Sequence, residues 1–94
     1  MKTLFSNMGE FSRKAFVGAT PIDHLNKVKE EVDEAIAKPD NVFEYADVLM
    51  AIFSATDAAG FTYNDLLYAA QHKFSVLQRR KWEKLDNGTW QHIK

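Results

Sequence analysis

Apolar residues recur every three to four positions along most of the chain, the spacing of helices and not of strands. Phe5, Met8, Phe11 and Phe16 mark a first helix over about 4–16, closed by Val17-Gly18-Ala19. Thr20 before Pro21 reads as an N-cap followed by proline at the first helical position. The helix it opens carries Leu25, Val28, Val32, Ala35 and Ile36 on one stripe, and Pro39-Asp40 stops it near Lys38. Asp40 or Asn41 caps the next helix, which runs from about Val42 to Ala59 and ends at Gly60. Its apolar residues (among them Val42, Phe43, Tyr45, Val48, Ile52 and Phe53) surround the axis, the pattern of a buried helix. Thr62 caps a last helix that reaches Trp82 or Lys84, with Leu66, Leu67, Ala70, Phe74 and Leu77 as its stripe. Asn87-Gly88 signals a turn in an irregular tail, and only a short piece near Thr89 to Ile93 has strand character. The expected fold is all-α: a small bundle of three to four helices with short connections, forming one domain over residues 1–94.

Composition narrows the function classes. An apolar share of 46% in 94 residues suffices for one small core, and so short a chain is expected to complete it by oligomerisation. The absence of cysteine removes thiolate metal sites, cysteine nucleophiles and disulfides, and suits the cytoplasm. Neither a signal peptide nor a membrane span is expected, since Met1 to Met8 lacks an apolar h-region and no apolar run reaches about 20 residues. The net charge of −1 argues against nucleic-acid binding, despite the Arg79-Arg80-Lys81 run.

The charge is unevenly spread. Seven acids lie between Glu30 and Asp47 against one base, Lys38, and five bases lie between Gln71 and Lys84 against one acid, Glu83. Within the acidic stretch, Glu31-x-x-Glu34 sits late in one helix and Glu44-x-x-Asp47 sits early in the next. Residues three apart lie on one side of a helix, so across a short antiparallel connection the two pairs can converge. Four converging carboxylates need a cation, and hard oxygen ligands select magnesium, with manganese as the alternative. Such ions hold phosphate oxygens and activate water. The plainer alternatives are a solvated helix face for Glu31 and Glu34 and a helix-dipole contact for Glu44; neither explains Asp47 well.

The ordered series Glu31-x-x-Glu34 and Glu44-Tyr45-Ala46-Asp47 resembles the ExxE and ExxD helices of the MazG-like all-α NTP pyrophosphatases. His24-Leu25-x-Lys27, Ala58-Ala59-Gly60-Phe61-Thr62, Ala70-x-x-Lys73 and Arg80-x-Trp82 extend the likeness toward the short phage dATP/dGTP pyrophosphohydrolases. The resemblance implies Mg²⁺-dependent cleavage of nucleoside triphosphates, deoxy forms favoured, between the α- and β-phosphates, serving house-cleaning of the nucleotide pool. It implies that Glu31, Glu34, Glu44 and Asp47 are the metal-binding catalytic residues, with Glu30 as the substitute ligand. Lys73 and Arg80 would neutralise phosphate charge, although both also read as ordinary solvated charges at a helix C-terminus. Leu77 stands where relatives often carry asparagine, and Gln78 is the candidate in its place. His24 is a further substrate candidate, and Trp82, Phe16 or Trp90 could stack on a base; a structural role is the alternative for each. The family also implies a homo-oligomer, a dimer or a tetramer built as a dimer of dimers. The competing function is a non-enzymatic helical oligomeric binding module.

Overall fold

The computed structural model describes residues 1–93. Four helices and a hairpin follow in order: α1 (Lys2–Ala15), α2 (Pro21–Ala37), α3 (Val42–Ala58), α4 (Tyr63–Arg79), β1 (Trp82–Lys84) and β2 (Trp90–His92). None of the described helices is long and apolar enough to cross a membrane. The chain divides into two compact units, residues 1–63 and 64–94.

In the first unit α3 packs along α2 and, less extensively, against α1. The core sits where α1 meets the C-terminal half of α3. Phe5 and Phe53 are buried and meet edge to face at 5.1 Å, with Tyr63 against Phe5 at 5.8 Å. Ser12 and Ser54, both buried, satisfy each other by a 2.6 Å hydrogen bond between the helices. Gly9 allows the close approach: a Cβ there would stand 2.6 Å from Asp57 Oδ1.

Caps fix the helix ends. Thr20 and Asp23 form a reciprocal capping box, the Asp23 N–H donating to Thr20 Oγ1 (3.1 Å) and the Thr20 N–H to Asp23 Oδ2 (2.9 Å). The backbone bond from Thr20 holds the Asp23 carboxyl below its usual 3.8, so its share of stability is present above that value and lost as pH falls through the lowered one. Thr20→Ala should therefore cost about 1 kcal/mol in urea unfolding near neutral pH. Asp23→Asn should be less stable than wild type at pH 7, with the gap closing below pH 3.8.

Asn41 caps α3 by accepting from the Phe43 N–H at 3.0 Å, and the Tyr45 hydroxyl donates to the Pro39 carbonyl at 2.8 Å. These bonds pin the four-residue link between α2 and α3. Gly60, at φ 88°, takes the left-handed position that ends α3.

Two expectations need correction. The all-round apolar α3 is not buried along its length: Ala51, Phe53, Ser54 and Ala55 are buried, whereas Val42, Phe43 and Tyr45 are exposed. The last helix ends at Arg79 instead of continuing to Trp82 or Lys84, and the tail is an ordered hairpin. Trp82, Glu83 and Lys84 pair antiparallel with His92, Gln91 and Trp90. Gly88, at φ 88°, makes the turn, and Asn87 Oδ1 accepts from both the Thr89 N–H (3.0 Å) and its hydroxyl (2.6 Å).

Candidate active site

The helix pair α2–α3 brings the two acidic motifs together. One carboxylate oxygen each from Glu31, Glu44 and Asp47 lies within 4.8 Å of the other two. Glu31 and Glu44 are mostly shielded, with side chains 12% and 13% exposed, while Asp47 opens to solvent. Glu31 Oε1 pairs with Lys27 at 3.2 Å, but its buried Oε2 has no hydrogen-bond partner. A buried carboxylate oxygen left bare is costly, and a cation among the three oxygens would satisfy it. The donor set, all hard oxygen, fits magnesium or manganese.

Glu34 lies beside this trio. Two carboxylates can hydrogen-bond only when one carries a proton, so the approach of Glu31 raises the Glu34 carboxyl above its usual 4.5. Repulsion from the Glu31 charge, burial and the Glu44 charge push the same way, and Lys27 opposes them. Like charges crowded in this manner repel one another unless a cation lies among them. Lys27 hydrogen-bonds Glu31 and Glu30, which holds its ammonium above the usual lysine range. Glu30, the substitute ligand, is exposed, pairs with Lys27 at 3.4 Å and is not one of the clustered three. Lys38 Nζ stands 4.0 Å from Glu44.

His24, two turns before Glu31 on the same face of α2, is half-buried, and its ring meets Phe16 edge to face at 6.1 Å. The two rings border a pocket of about 260 Å³ whose floor holds Ser12 and Ser54, with the Arg13–Asp57 ion pair on its rim. His24 is the motif residue at this pocket, whereas Arg13 and Asp57, 44 residues apart, belong to no recognisable series.

The other candidates belong to the second unit. Lys73 and Gln78 are exposed on α4, and Arg80 follows its end, the backbone N–H donating to the Leu77 carbonyl at 3.4 Å. The Trp82 indole N–H donates to the same carbonyl at 3.1 Å, and its ring meets His92 edge to face at 6.3 Å. Trp82 is thus engaged in holding the hairpin to the end of α4.

A sequence model of the dATP/dGTP pyrophosphohydrolase family matches residues 4–94. The chain belongs to this family. One dATP/dGTP diphosphohydrolase, from Salmonella phage PMBT28, is 30% identical over 81 residues, which is 85% of this chain. The chain spans only 27% of the length of that relative. Among solved structures, the cyanophage S-2L MazG-like pyrophosphohydrolase, bound to dGDP and three catalytic Mn²⁺ ions per active site, superposes with a TM-score of 0.81. It is 26% identical, over 98% of this chain and 95% of its own. The expected all-α, MazG-like architecture is therefore the observed one for this dATP/dGTP pyrophosphohydrolase family member.

Proposed function

We propose that this chain hydrolyses purine deoxynucleoside triphosphates between the α- and β-phosphates, releasing the monophosphate and pyrophosphate. The observation that carries the reading is the convergence of Glu31, Glu44 and Asp47 around a buried, partnerless Glu31 oxygen. The family and the dGDP- and Mn²⁺-bound cyanophage relative support the same substrate class and a divalent cation.

Glu31, Glu34, Glu44 and Asp47 are the proposed ligands of Mg²⁺, or of Mn²⁺ in its place. The cation supplies charge neutralisation at the phosphate oxygens and a lowered pKa for the attacking water. The chain's own residues do the rest. The capped α2–α3 link holds the two carboxylate pairs at fixed separation, so the site is built before substrate arrives. One of the four carboxylates orients the water in line with the phosphorus. Lys73 and Arg80 are the proposed phosphate-binding cations, with Gln78 as a neutral partner.

The whole chain acts as one domain in this reading, in the cytoplasm, and its role is house-cleaning of the dNTP pool. The exposed apolar residues Val32, Ile36, Phe43 and Tyr45 support a homo-oligomer, a dimer or a dimer of dimers. Light scattering should give at least twice the mass of a 10.8 kDa chain at micromolar concentration; a monomer overturns the assembly.

The deciding experiment is pyrophosphate release from a panel of dNTPs and NTPs, with Mg²⁺, with Mn²⁺ and with EDTA. Metal-dependent production of dAMP or dGMP with one pyrophosphate per turnover is expected. A folded sample inactive on every nucleotide refutes the hydrolase and leaves a binding module.

A further inference from the structure

We propose that the pocket bordered by His24 and Phe16 holds the purine base of the substrate, and that Asp57 reads its Watson–Crick edge. This rests on the hydrolase reading and deepens it by naming where and how the base is recognised.

The helix geometry puts the pocket and the carboxylates in one groove. His24, Lys27 and Glu31 follow at intervals of three and four residues, so they share one face of α2. Asp47, Ser54 and Ala58, at intervals of seven and four, share one face of α3. Ser54 and Ala58 line the pocket, and Asp47 lines the acidic cluster. His24 and Glu31 are separated by roughly 10 Å along α2. A nucleotide bridges such a length when its triphosphate meets the carboxylates and its base enters the pocket, with Lys27 flanking the path between.

The pocket has the chemistry for a base. Its volume of about 260 Å³ admits a purine. Phe16, about half exposed, offers a ring face, and His24 stands against it at 6.1 Å. Ser12 and Ser54 are buried beneath and hydrogen-bond each other, so the floor is closed and satisfied. On the rim, Asp57 accepts from Arg13 through Oδ1 alone. A carboxylate has about four lone-pair sites, so Asp57 retains acceptors for a ligand while keeping Arg13. Guanine presents two adjacent donors, N1–H and the N2 amino group, which a carboxylate accepts as a fork. Adenine presents one donor, its N6 amino group, beside ring-nitrogen acceptors. Asp57 therefore favours guanine, and an amide at the same place favours adenine, since its oxygen and amino group match the N6 amino group and N1 on adenine's Watson–Crick edge.

The test is the ratio of kcat/KM for dGTP to that for dATP in wild type and Asp57→Asn. The ratio should fall by about tenfold or more in the variant, the worth of one bidentate pair. Equal losses on both substrates would mean that Asp57 is only structural, and would overturn the proposal. Because Asp57→Asn weakens the Arg13 pair, a second measurement avoids the variant. dGMP and dAMP are titrated into wild-type protein in EDTA while the His24 imidazole resonances are followed by NMR. Shifts at His24 that saturate at lower dGMP than dAMP support the base site; no shift at His24 with either nucleotide refutes it. If the wild type turns over no dNTP, the hydrolase reading fails, and the EDTA titration still decides the pocket by itself.

Discussion

Asp47→Asn should lower pyrophosphate release by at least about 100-fold and, in chelator, raise the melting temperature of the protein. The first effect follows if Asp47 is one of the three oxygens that meet within 4.8 Å. Loss of an outer-shell partner of a metal site already costs about 10–100-fold, and a direct ligand costs more. The second effect has the opposite sign for a physical reason. Without a cation, Asp47 faces the Glu31 and Glu44 charges, and asparagine removes that repulsion while keeping the shape. Activity lost with stability gained is the behaviour of a site that spends stability on function. Scanning calorimetry in EDTA and the pyrophosphate assay in Mg²⁺ check the two halves. A variant that stays active, or one that loses activity only because it unfolds, would remove Asp47 from the site.

Phe53→Ala should destabilise the protein by about 3–5 kcal/mol, the usual cost of emptying a buried aromatic position. Phe53 is 3% exposed and holds Phe5 edge to face, joining α3 to α1 at the centre of a small core. A domain of this size has about 5–15 kcal/mol in all, so the substitution removes a large share of the total and should lower the urea midpoint sharply. Phe11→Ala is the matched control: that ring is 55% exposed, and its loss should cost about 1 kcal/mol or less. Urea unfolding of the two variants separates them, and similar midpoints would mean that the core lies elsewhere.

Much of this was legible from residue spacing, and the reasons differ by element. Thr20-Pro21 and Asn41 are local signals, and both caps appear where they point. The acidic motifs were legible because three-residue spacing fixes the side of a helix, and a short link between α2 and α3 leaves little choice but to face them. Spacing could not separate Glu34 from the clustered three, because that depends on helix rotation of a few tens of degrees. The hairpin was half seen: Asn87-Gly88 marked its turn, but Arg80, Lys81 and Trp82 continue a pattern that a helix tolerates, and only pairing with Trp90 to His92 makes a strand of them. The N-terminal half of α3 has apolar residues on every side, which reads as burial, yet Val42 and Phe43 remain exposed in the single chain. The pocket beside His24 was legible only in part: His24 and Phe16 stood out as substrate candidates, but Ser12, Arg13, Ser54 and Asp57 join them only by long-range packing of α1 and α3.

The close approach at Gly9 has a consequence for how such a sequence can diverge. A methyl group at position 9 would displace Asp57, the side chain we assign to the base edge, without itself touching a nucleotide. If Asp57 reads the base, a substitution at this position on α1 would alter base preference indirectly, through the displaced carboxylate.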